Sequence, residues 1–298
     1  MTLQTAFESF MFEKHLHGLS DKSLYNYRCF ITPFVLVCDK SVETLTYQDV
    51  QRYILQLMER ELARATLSTY IRNLKIFVRW LCDNYGCPAD YRRIKVPKSP
   101  KKTLDIYSEE DIRLIFDSVQ TSVSWVTIRN RAIISLMLDA GVRQNEVCTL
   151  LRKNVHVREQ YVKVFGKGQK ERIVSIGKVT IAFFRKYWSK CPFESSYAFV
   201  SHRGEQVTTD SVKHMMYKMS KRLPFEFSSH KLRHNFATNY CLDQYERYGR
   251  IDIYRLMVLM GHEEINTTRR YLHVANQVIA TRENLSHMDK IFWKSHNT

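Results

Sequence analysis

The chain has 298 residues, 44% of them hydrophobic, with 46 Lys and Arg against 30 Asp and Glu and a formal net charge of +16. This length supports two domains with separate cores, and so large a positive excess points to a polyanionic partner, nucleic acid first, because self-repulsion otherwise opposes a compact state. The longest apolar stretch, around Ala132 to Leu138, is too short for a bilayer. Met1 to Gly18 lacks the basic start and apolar run of a secretion signal, and seven cysteines without C-x-x-C pairing read as reduced thiols of a cytoplasmic protein.

From Leu3 to about Tyr91 the pattern predicts helices separated by short breaks, with no strand run. Ser20 or Asp21 caps a helix through Tyr25 and Phe30, which Pro33 interrupts or kinks. Thr46, with Asp49 in a capping box, starts a second through Val50, Tyr53, Ile54 and Leu57. Thr66 or Ser68 opens a third, in which Leu67, Ile71, Leu74, Val78 and Leu81 follow the helical period. Arg64, Arg72, Lys75 and Arg79 lie largely off that stripe, as a solvated face or a DNA-facing one. Cys82 and Cys87 stand close together but lack a second ligand pair, and read as buried thiols. Residues 96 to 102, Val-Pro-Lys-Ser-Pro-Lys-Lys, mark the boundary. Its prolines preclude a helix, and Lys98, Lys101 and Lys102 favour an extended linker along phosphates. The division expected is a helical domain over 1–95, a linker over 96–104 and a second domain over 105–298.

In the second half, Ser108 with Asp111 starts a helix, and Trp125 to Leu138 forms an apolar one that ends at Ala140-Gly141. The phrase G-x-R-x-x-E follows, with Arg143 and Glu146. Arginine suits a phosphate because its planar fork gives two hydrogen bonds and stays charged, while the plainer reading is a helix-end arginine paired to Glu146. Tyr161–Phe165 and Arg172–Ile176 read as two strands joined by a Gly166–Lys170 hairpin turn, which is not a P-loop. His230 and Arg233 stand three apart on one helical face and can address the same anion. Gly261 stops the next helix and leaves His262 at its exposed mouth. Asn266 or Thr267 caps the following turn, which carries Tyr271 outward. This set suits chemistry on a phosphodiester, and nothing in it resembles a metal site. Cys241 to Arg250 reads as a loop. Tyr240, Tyr245, Tyr248 and Tyr254 compete with Tyr271 in principle. Asn276 to Trp293 carries an apolar stripe that packs on its own domain or on a neighbour.

Taken in order, G-x-R-x-x-E, H-x-x-R, L-x-G-H and Tyr271 resemble the carboxy-terminal signature of the tyrosine recombinases, the phage-integrase and Xer-like family. The resemblance implies a mainly α fold with a small antiparallel β-sheet: a helical, SAM-like core-binding domain, then a mixed α/β catalytic domain. It makes Arg143 and Arg233 phosphate ligands, Glu146 their support, and His230 and His262 the hydrogen-bonding and proton-handling groups. Lys167 at the hairpin, with Lys170 its rival, becomes the acid for the leaving oxygen, and Tyr271 the nucleophile of a 3′-phosphotyrosyl link. It implies no cofactor and no metal. The implied partners are double-stranded DNA recombination sites, a homo-tetramer on two paired sites with exchange of C-terminal helices through a Holliday junction, and an accessory DNA-bending or directionality factor. The stretch between Arg233 and His262 is longer than in typical relatives, and the residues ahead of the linker leave no room for an additional arm-site-binding domain. The role implied is that of an integrase or excisionase of a mobile element. One alternative is an Xer-like or transposon-encoded resolvase of DNA multimers or cointegrates; another is a type IB topoisomerase, and against the topoisomerase the two-domain organisation and Xer-like motif spacing argue.

Overall fold

Side chains that cap their own helix set several of the helix starts. The computed structural model describes residues 1–98, 106–166, 170–283 and 288, and the chain divides into two units, Met1–Lys102 and Thr103–Thr298.

The first unit contains α1 (Leu3–Leu16), α2 (Asp21–Val37), α3 (Tyr47–Glu59) and α4 (Arg64–Tyr85). The Ser20 hydroxyl caps α2, and Thr46 N donates to Asp49 Oδ2 at 3.0 Å to open α3. Pro33 does not end α2, because Phe34 and Val35 beyond it are buried and hold the last turn. Helix α4 begins at Arg64 without a side-chain cap, two residues before Thr66. Ser68, expected as an alternative start, is instead buried inside it, with its hydroxyl 2.9 Å from the Arg64 carbonyl and 2.7 Å from that of Pro97. Phe7, Phe10, Phe77 and Trp80 make an aromatic centre, each buried ring of this kind bringing offset or edge-on contacts beyond simple burial. Val96 still packs on this core, and Lys98 is exposed. Lys101 and Lys102 lie outside the described residues.

The second unit opens with α5 (Glu109–Ser118), capped by Ser108 and Asp111. Helix α6 (Ser124–Ala140) is apolar on most sides, so it runs through the core. It packs chiefly against α8 (Lys178–Lys190) and α10 (Ser229–Tyr248). Between them in the chain come α7 (Gln144–Thr149), an antiparallel three-stranded sheet in the order β1 (Val155–His156), β2 (Tyr161–Phe165), β3 (Glu171–Ser175), and α9 (Thr209–Ser220). The short β1 was not anticipated. Val162 is paired with Val174 and Phe165 with Glu171, so the two-residue period puts Val162, Val164, Arg172 and Val174 on the buried face. The unit ends with α11 (Ile253–Met260) and α12 (Ile265–Glu283). Cys241 to Tyr248, expected as a loop, is helical: Cys241 and Leu242 are buried in the cluster with Leu256, Met260 and Ala275, so packing extends α10 until Gly249 stops it. Burying one such leucine stabilises by about 1.5–3 kcal/mol, enough to outweigh the polar outer face. All seven cysteines are free, and no described helix is long and apolar enough to cross a membrane.

Candidate active site

The carboxyl end of α11 gathers three guanidiniums on three successive carbonyls. Arg172 Nε donates to Leu259 O at 2.8 Å, Arg233 Nη2 to Met260 O, and Arg143 Nη2 to Gly261 O at 2.8 Å. The last carbonyls of a helix have no intrahelical donor and lie at the negative end of its dipole, so cations are stabilised there. Arg233 also donates through Nη1 to Gly141 O, at the end of α6. Gly261 is left-handed, with φ of 58°. A Cβ there would lie 3.2 Å from Arg172 Nη1 and 3.4 Å from Arg143 Nη1, a tight fit beside Arg172, and the left-handed backbone itself favours glycine.

One buried carboxylate sits among these cations. Glu146 accepts from Arg172 Nη1 and Nη2 at 2.6 and 2.7 Å, from Arg143 Nη1 at 3.0 Å and from Arg143 N at 2.7 Å. Burial opposes its charged form, but Arg172 and Arg143 outweigh that and hold the carboxyl below the usual range. Three arginines against one carboxylate leave this inner cluster net positive. Arg233 is buried, and burial, followed by the charge of Arg143, lowers it to about 10, so it remains a cation at neutral pH.

His262 bridges this cluster to α12. Its Nδ1 lies 2.9 Å from Thr268 Oγ1 and its Nε2 is 3.3 Å from Arg233 Nη2. The arginine can only donate, so Nε2 accepts and Nδ1 carries the proton. Burial and then the charges of Arg233 and Arg143 push His262 down to about 4, which keeps the ring neutral. It is half-buried rather than at an exposed helix mouth. Arg143, Lys170, Arg172, His262 and Thr267 line an open pocket of about 540 Å³. Glu171, Glu263 and Glu264 also line it, and Glu263 is tied to Lys170 at 2.8 Å. His230 is exposed on the first turn of α10, one turn before the buried Arg233. Lys167 lies outside the described residues.

Tyr271 departs from expectation. Helix α12 already starts at Ile265, so Asn266 and Thr267 fall in its first turn instead of capping it. Thr268, Tyr271 and Ala275 recur at helical spacing on one buried face, and Tyr271 points inward, its hydroxyl 2.9 Å from His234 Nδ1. Tyr240, Tyr245, Tyr248 and Tyr254 do not line the pocket.

Arg172 and His234 were not singled out from the sequence. Arg172 was detectable: it shares the apolar face of a strand with Val174, and a guanidinium there needs a buried anion. His234 had no comparable signal, because its partner depends on how α12 packs. On α4, Arg64, Arg72 and Arg79 are exposed, Arg79 lying 3.3 Å from Asp83. Lys75 does not join them, since its Nζ donates to Ile94 O at 2.7 Å.

The sequence profile described as "Phage integrase family" matches residues 106–278, and the one described as "Phage integrase, N-terminal SAM-like domain" matches residues 7–85. The chain therefore belongs to the phage integrase family, the tyrosine recombinases, whose members cleave and rejoin DNA strands. It is 29% identical to the tyrosine recombinase XerC of Staphylococcus epidermidis over 243 residues, 79% of this chain and 80% of that one. It is 28% identical to the tyrosine recombinase XerD of Oceanobacillus iheyensis over 293 residues, 91% and 94% of the two chains. The fold is shared with the XerH site-specific recombinase bound to a palindromic difH substrate in a post-cleavage complex, at a TM-score of 0.71, 18% identity and 88% and 79% coverage. It is shared also with the Tn1549 transposon integrase in complex with a circular intermediate DNA, at 0.74, 15% identity and 91% and 95% coverage.

Proposed function

We propose that this chain is a site-specific DNA recombinase in which Tyr271 attacks a phosphodiester. The phenol oxygen forms a bond to phosphorus, the bond from phosphorus to the 5′ oxygen breaks, and a 3′-phosphotyrosyl link and a 5′-hydroxyl result. The phenol proton passes to one of the proton-handling histidines, His230 or His262, and the departing oxygen gains one from Lys167. No water is consumed, so the link conserves the bond energy for rejoining, and the 5′-hydroxyl of a second strand reverses the step on a new partner. Repetition on the other strand pair resolves a Holliday junction.

The observation that carries this reading is the gathering of Arg143, Arg172 and Arg233 on the three carbonyls that end α11, beside an open pocket. Cations fixed before substrate arrives stabilise the charge of a pentavalent phosphorus without reorganising. Arg143 and Arg233 serve as the phosphate ligands, Glu146 and Arg172 hold Arg143, and His262 presents a neutral ring to Arg233. His230, exposed near the start of α10, hydrogen-bonds the phosphate.

The partners are double-stranded recombination sites contacted through Arg64, Arg72, Arg79, Lys98, Lys101, Lys102 and Lys170, with four subunits on two paired sites. Val278 and Ile279 pack on their own unit, and the reading keeps an exchange of C-terminal helices among the four subunits. The biological role is integration or excision of a mobile element, a reading supported by likeness to a transposon integrase. The second reading, resolution of DNA multimers, is favoured by the Xer relatives. A plasmid carrying two copies of a candidate site distinguishes these from a topoisomerase: the account expects deletion or inversion products, and relaxation without rearrangement would contradict it.

A further inference from the structure

Tyr271 does not line the open pocket. It is 2% exposed, its hydroxyl is 2.9 Å from His234 Nδ1, and its ring stacks beside His262 with centroids 6.2 Å apart. His234 follows Arg233 directly on α10, yet the two side chains serve different partners. Arg233 reaches the carbonyls of Gly141 and Met260, whereas His234 reaches α12.

We propose that His234 is a positioning residue that holds the Tyr271 phenol in a buried resting position, from which it is released before meeting a phosphate at the arginines. This rests on Tyr271 being the nucleophile. A buried hydroxyl and a half-buried imidazole nitrogen each cost free energy when left unpaired, and here each satisfies the other. Burial, then the charges of Arg270 on α12 and of His230 and Arg233 on α10, push His234 down to about 4, so the ring is neutral at neutral pH, and with its proton on Nε2 it accepts the phenol hydrogen bond at Nδ1. Burial raises the phenol, against the pull of Arg270, Arg233 and Arg143, so it keeps its proton. A protonated phenol is a weak nucleophile. Moving it toward Arg143 and Arg233 exchanges a neutral acceptor for cations that favour the phenolate, so the release also activates it. Near neutrality His234 does not titrate, so the trigger is displacement of Tyr271 or of α12 on binding DNA, not a change of pH.

The test compares the full chain with His234→Ala, His234→Phe and His234→Asn. His234→Phe fills the space that His234→Ala would empty, and His234→Asn retains an acceptor near the position of Nδ1. Nitration of Tyr271 by tetranitromethane, read by mass spectrometry without DNA, reports whether the phenol is held. Adduct formation on a nicked duplex, in single turnover, reports its readiness to attack. Loss of one net hydrogen bond corresponds to roughly tenfold. Nitration and the adduct rate are both expected to rise by about that factor in the Ala and Phe variants and to stay native in the Asn variant. Unchanged nitration in His234→Phe would overturn the proposal. So would an adduct rate lowered by roughly 10²–10⁴ in that variant, the signature of a group that takes the phenol proton. If the native adduct maps to another tyrosine, Tyr271 as nucleophile fails, and nitration still decides the role of His234.

Discussion

Arg172 closes a two-point fork on Glu146, with hydrogen bonds of 2.6 and 2.7 Å, while Arg143 holds the same carboxylate from its other side. The fork is buried and the Arg143 side chain is 39% exposed, so the inner pair fixes the outer arginine. Arg172→Leu leaves Glu146 with a single cation. Breaking a buried pair from one side costs about 3–5 kcal/mol, and denaturant unfolding of the variant should show a loss of that order. Arg172→Leu with Glu146→Leu, which removes both charges, should recover much of it.

Arg233→Lys separates charge from geometry. The guanidinium donates to Gly141 O and Met260 O and approaches His262, a spread that a single ammonium does not reproduce. Strand cleavage in single turnover should fall by roughly 10²–10³, in the range found for removing one preorganised donor. Affinity for DNA, which depends on many phosphate contacts, should change much less.

Acid should destabilise the fold through three groups with lowered folded pKa values. His234 and His262 are held at about 4, whereas in the unfolded chain they take a proton near 6.5. Their contribution is full above about 6.5 and lost as pH falls toward 4, because the unfolded state binds more protons in that window. Glu146, also lowered, adds a further loss as pH falls below the ordinary carboxylate value. Urea midpoints measured from pH 7.5 to 4.5 should decline, and His262→Asn should flatten the upper part of that decline.

The cations of α4 should divide by role. Arg72 is exposed, and Arg72→Gln should weaken DNA binding across sequences while reducing the salt slope by about one. Lys75 donates to Ile94 O, so Lys75→Gln should lower stability by about 1 kcal/mol and leave the salt slope unchanged.

Elements fixed by neighbouring residues were legible, as the caps at Thr46 with Asp49 and Ser108 with Asp111 and the stops at Gly141 and Gly261 show. The mainly helical fold with its small sheet followed from the same periodicities and from the resemblance. Misreadings came where distant packing decides. Ser68 looked like a helix start but is drawn inward beside Pro97 O. Cys241 and Leu242 looked like loop residues, yet they complete a core whose other half lies on α11 and α12. Arg143, Arg233 and His262 come together at the carboxyl end of α11. The inward face of Tyr271 was not legible, because a helical period fixes which residues share a face and leaves open which way that face turns.

The most direct test is covalent trapping on nicked duplexes drawn from the DNA flanking the gene, with the native chain and Tyr271→Phe side by side. The account predicts a denaturant-stable protein–DNA adduct for the native chain, mapped to Tyr271, and none for the variant, with both binding the duplex equally. An adduct that persists in Tyr271→Phe, or one that maps to Tyr240, Tyr245, Tyr248 or Tyr254, would contradict it.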